Sequence, residues 1–99
     1  MNARIRAELL PPEFTDEALA DLNAVLRSAP VQQYPQRAYL VGLVQMWVFA
    51  TTGGLLDRPQ LEEAAQCTSI LDARILAERM AAAIRRKKRH AARSKGGGL

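Results

Sequence analysis

Residues 38–56 read AYLVGLVQMWVFATTGGLL, nineteen positions without a charged side chain. Gln45, Thr51 and Thr52 are its only plainly polar groups. The run holds the single tryptophan, Trp47, together with Tyr39 and Phe49. All charge lies to either side, so the role of this run determines the fold. Three roles compete. A lipid-spanning helix needs about 20 mostly apolar residues, and 38–56 sits at that edge. A buried strand suits the β-branched and aromatic LVGLVQMWVF, but no other run has a composition that could pair with it. A buried helix needs further helices around it, and the chain supplies them.

The pair Gly53-Gly54 favours the buried helix. Glycine has no Cβ to clash in the left-handed conformation that ends helices. The continuous helix is then Gln36 to Thr52. Its strongly apolar part spans about 13 residues, a length typical of a core helix. Ala38, Gly42 and Gln45 share one face at i, i+4, i+7, a small or polar face open to another helix or to water. Leu40, Leu43, Val44, Trp47 and Val48 point elsewhere and are expected to fill the core. Leu55 is expected to fold back as the hydrophobic contact of the helix stop.

Upstream, Ile5 and Leu9 share a face and Arg4 can meet Glu8, so residues 2–9 are expected to form one or two helical turns, ended by Pro11-Pro12. The clearest amphipathic helix follows. Thr15 or Asp16 can cap it, and Asp16 and Glu17 suit the positive end of the helix dipole. Ala18, Leu22, Val25 and Ala29 form its stripe, broadened by Leu19 and Leu26, with Asp21, Asn23 and Arg27 outward. Pro30 marks its end, and APVQQYPQ is expected to be a connector, with Tyr34 packed.

Downstream, Asp57 is an N-cap candidate with Pro59 in the first turn, opening a helix of about 58–67. Leu61 and Ala65 lie on one side of it. Ser69 and Asp72 have capping-box spacing, which predicts a break and a second helix over about 70–90. Ala73, Leu76, Met80, Ala83 and Ile84 line one face of that helix, and Arg74, Glu78, Arg79 and Arg85 the other. The closing GGGL is flexible by composition. The expected fold is all-α: a small bundle of about four helices around the buried apolar helix, with a helical domain at 1–84 and a basic, partly flexible C-terminal tail at 85–99.

Charge is divided unevenly along these 99 residues. Seven Lys and Arg against ten Asp and Glu give residues 1–84 a charge of −3, while seven Lys and Arg with no acid give residues 85–99 a charge of +7. A slightly acidic body with a strongly basic end suggests a polyanionic partner. Arg85, Arg86, Lys87, Lys88 and Arg89, extended by Arg93 and Lys95, are the candidate nucleic-acid-binding residues, since phosphates attract such clusters through counterion release. Basic residues near a helix C-terminus also serve its dipole. Seven charges in eleven positions exceed that need.

Other chemistry finds little support. The only histidine, His90, lies inside the basic run. Cys67 has no activating neighbour in sequence and cannot form an intramolecular disulfide. Glu62 and Glu63 diverge by about 100° on a helix. One Cys and one His cannot build a typical zinc site, so neither metal nor cofactor is expected. Residues 61–80, LEEAAQCTSILDARILAERM, have a helix-turn-helix outline. Glu78 then falls where an apolar side chain belongs, and Arg74 is almost alone as a base-reading group, so ordinary helical-hairpin packing is preferred.

The expectation is therefore a non-enzymatic binding module whose tail contacts nucleic-acid phosphates. One alternative is a protein-interaction or assembly subunit, possibly homo-oligomeric. Another is a single-pass membrane protein spanning 38–56. No secretory signal is visible in MNARIRAELLPPE, and a lone cysteine fits a reducing cytoplasm. The alanine- and arginine-rich composition is compatible with a bacterial, plasmid or phage origin.

Overall fold

Helix boundaries follow from the caps. The computed structural model describes residues 12–97, with side chains as far as Arg89, so the turns expected at 2–9 lie outside the described residues. Five helices form, with no strand among the described residues: α1 Asp16–Leu26, α2 Ala29–Gln33, α3 Gln36–Thr52, α4 Arg58–Ala64 and α5 Ile70–Gly97. At the start of α1, Thr15 Oγ1 accepts from the Ala18 N–H at 3.0 Å. The helix stops at Leu26, earlier than expected, because Ser28 is extended and Pro30 has no N–H with which to continue the ladder.

Pro30 instead sits in the first turn of α2, where the missing N–H costs nothing. The expected connector is thus a short helix that buries Val31. Gln32 Nε2 donates to the freed Leu26 carbonyl at 2.9 Å. Tyr34, expected to pack, is exposed and lies under the Arg37 guanidinium at 4.5 Å. Ala29 is exposed in α2, whereas Asn23 is buried on α1. The buried arc of α1 is wider than its apolar stripe, because α4 as well as α2 packs on it.

The long apolar run forms α3 with the bounds expected, and Gly53 closes it at φ 70° with its N–H on Phe49 O at 2.8 Å. Its buried face is Leu40, Val41, Val44, Gln45 and Val48. That differs from the expected set. Gln45 turns inward, its Oε1 accepting from the Leu56 N–H at 3.2 Å, and Trp47 turns outward to 40% exposure. Gly42 faces open space instead of a neighbouring helix. Leu56, and not Leu55, is the buried anchor after the stop. No helix among the described residues is long and apolar enough to cross a membrane.

Asp57 and Gln60 form a reciprocal capping box at α4, each side chain bonded to the other's backbone N–H at 2.9 Å. The break before α5 is also present. Ser69 Oγ accepts from the Asp72 N–H at 3.1 Å, while the Asp72 carboxylate accepts from the Thr68 hydroxyl at 2.8 Å. The α5 helix then packs along α3, the most extensive helix pairing of the fold. Ala73, Leu76, Ala77, Met80 and Ala81 are buried against it and Ile84 is half-buried; Ala83 falls just past the edge of that arc and is exposed.

Candidate nucleic-acid interface

The basic run is a continuation of α5. The helix extends seven residues beyond the expected end near 90, to Gly97. Alanine, arginine and lysine, which fill most of residues 85–95, are good helix formers. At 1.5 Å per residue, the 85–97 part is about 20 Å long. Arg85 to Arg89 are all exposed; of Arg93 and Lys95 the structure describes the helical backbone alone.

The five described basic side chains do not act alike. Arg85 Nη2 donates to Thr51 O at 3.2 Å, and Lys88 Nζ donates to Thr52 O at 2.6 Å. These carbonyls belong to the last turn of α3, whose final C=O groups have no helical partner and carry the negative end of its dipole. Arg85 and Lys88, three positions apart, therefore cap α3 from another helix. The contact is fixed by a close approach nearby, where a Cβ on Gly54 would lie 3.4 Å from Ile84 Cγ2. Arg86, Lys87 and Arg89 meet no carboxylate among the described residues. Arg86 and Arg89 share a side of the helix at i, i+3, and position 93 follows in register at i+7.

This arrangement can hold a polyanion. Three outward cations on a rigid helix face solvent with no acid nearer in sequence than Glu78. It can also be read as a structural cap for the two residues that touch α3. The other groups weighed for chemistry are engaged elsewhere. Glu62 pairs with Arg58 at 3.3 Å and Glu63 with Arg79 at 2.8 Å. Burial, with the Asp72 and Glu63 carboxylates adding to it and Arg79 opposing, pushes the Cys67 thiol above its ordinary value. No group of three potential metal ligands occurs among the described residues. Along the would-be reading helix, Arg74 pairs with Glu78 at 3.3 Å and its guanidinium lies 5.9 Å from the Trp47 ring centroid.

A further feature was missed by sequence reasoning, a scatter of bare apolar side chains on α3 and at the start of α5. Tyr39, Met46, Trp47, Ile70, Leu71 and Ile75 are large, apolar and exposed. For the three on α3 the signal was present: that helix is apolar around most of its circumference, and its neighbours bury only the side that carries Leu40, Val41, Val44, Gln45 and Val48. Comparison with protein-family models, curated proteins and solved structures finds no match.

Proposed function

We propose that the chain is a non-enzymatic binding module whose α5 extension contacts nucleic acid through phosphates. The observation that carries this reading is the set of cations on one helix end, Arg86, Lys87 and Arg89 outward beside Arg85 and Lys88, ahead of Arg93 and Lys95. Phosphate contacts position a protein without reading sequence, so the expected affinity is general. A cytoplasmic location accords with this reading.

The test is a titration of labelled DNA and RNA with the intact chain and with a chain carrying Gln at Arg85, Arg86, Lys87, Lys88 and Arg89. Binding by the intact chain, weakened nearly equally for unrelated sequences by the substitutions, supports the reading. Equal binding by both chains, or none by the intact chain at low salt, defeats it. A second reading, an assembly or protein-interaction subunit, is favoured by the exposed Trp47 and its apolar neighbours, since large bare apolar patches commonly mark protein contacts.

A further inference from the structure

The cations of the α5 extension point in several directions around one helix, and the backbone fixes the angles between them. At about 100° per residue, Lys87 and Arg89 lie roughly 160° apart, on opposite flanks. Arg86 falls between them on the outer side, and position 93 returns to that side at i+7. Arg86, Lys87 and Arg89 are all exposed. Arg85 and Lys88 occupy the remaining arc, where they are bound to Thr51 O and Thr52 O of α3. The bundle therefore sits behind the helix, opposite Arg86. A single strand or a flat anionic surface would engage one flank and leave the other in water. A groove with a phosphate wall on each side engages both.

We propose that the α5 extension lies in the major groove of B-form duplex DNA, an inference that rests on reading α5 as a nucleic-acid contact. Lys87 meets the phosphates of one wall and Arg89 those of the other, while Arg86 faces into the groove between them. Size argues for this groove. A helix with its side chains is about 10–12 Å across, and the B-form major groove is about 12 Å wide. The minor groove, at about 6 Å, is too narrow. The major groove of an RNA duplex is deep and narrow, closed to such an element. A single strand is the poorer ligand for a different reason. Residues 85–99 contain no Phe, Tyr or Trp, so unpaired bases find no stacking platform there. A single strand also carries half the charge per length of a duplex. The approach is open, because α3 holds the helix from the side away from Arg86.

Titration of the full chain against a labelled DNA duplex, an RNA duplex of the same sequence and the separate DNA strands, all at one salt concentration, tests this. Tightest binding to the DNA duplex is expected. Lys87→Gln and Arg89→Gln, each alone, should flatten the salt slope on that duplex by about 0.9. Glutamine is a good helix former, so neither substitution breaks α5. Guanine N7 opens into the major groove, so a short duplex saturated with the chain should lose its methylation by dimethyl sulfate at that atom. An RNA duplex or single strand bound as tightly as the DNA duplex overturns the proposal. So does guanine N7 left reactive at saturation, or a slope that responds to only one of the two substitutions, which would mean contact on one flank alone. Absence of binding to every one of these ligands at low salt defeats the nucleic-acid reading itself, and the groove with it.

Discussion

Gln45 and Trp47 are two positions apart and exchange the places that their chemistry suggests. The amide goes in because the Leu56 N–H enters the core with the chain and needs an acceptor, which Gln45 Oε1 supplies. The indole goes out because the turn that buries Gln45 and Val48 rotates Trp47 toward solvent and Arg74. Trp47→Ala should therefore cost about 1–2 kcal/mol, the loss of a partly buried surface. Leu61→Ala, at a side chain with no exposure, should cost about 2–5 kcal/mol. Urea denaturation of both variants checks the order; a larger loss at Trp47 would contradict the geometry. The rotation was not legible in the sequence. On a helix apolar all round, a wheel offers several inward faces, and the deciding partner, Leu56, is eleven residues away. Cys67 gives a pH prediction. Its folded thiol titrates above the ordinary 9.0, so deprotonation favours the unfolded chain. Its stabilising contribution is constant below that pH and is lost as pH rises through it toward the folded value. Wild-type stability should thus fall relative to Cys67→Ala above pH 9, measured by denaturant midpoints; a constant difference from pH 7 to 10 would exclude it.

At the scale of elements, local chemistry was the legible part. Thr15, Asp57 and Ser69 all accept from backbone N–H groups where their spacing put them, and Gly53 takes the left-handed stop. These signals lie within a few residues of the structure they produce. The end of α1 was misjudged because Pro30 has two compatible roles, helix stop and first-turn residue, and only the extended Ser28 distinguishes them. The α5 start holds a detail the capping-box spacing did not carry. Asp72 reaches back to Thr68 and not to the Ser69 N–H, so the break is held by a Thr68–Ser69–Asp72 chain of bonds. Ser69→Ala should destabilise by about 0.5–2 kcal/mol, with the loss of amide exchange protection concentrated at residues 70–73. Loss spread evenly over the molecule would point instead to global packing.

For the whole molecule, the α5 extension joins stability to charge, and this changes what removing it does. The sequence pattern stops being apolar at Ile84, which suggests a tail separable from its body. Arg85 and Lys88 contradict a clean separation, because they close the carbonyl end of α3, thirty-four and thirty-six residues away in the chain. Replacing both with Gln should cost about 0.3–1 kcal/mol each, the scale of a charge at a helix terminus. Their partners also withhold them from phosphates. Of the seven basic residues from Arg85 onward, five remain for a polyanion. At about 0.9 per neutralised phosphate, the slope of log K against log salt on duplex DNA should approach −4.5 per bound chain, and on a single strand, at about 0.7, −3.5. The two sets of cations can be told apart. Arg85→Gln with Lys88→Gln should lower the melting temperature and leave the slope nearly unchanged. Arg86→Gln, Lys87→Gln and Arg89→Gln together should leave the melting temperature nearly unchanged and flatten the duplex slope to about −1.8. Thermal melts and salt titrations of the two variants decide it: equal effects of both on the slope would mean that phosphates displace the α3 carbonyls, and α5 would then have to loosen from α3 on binding.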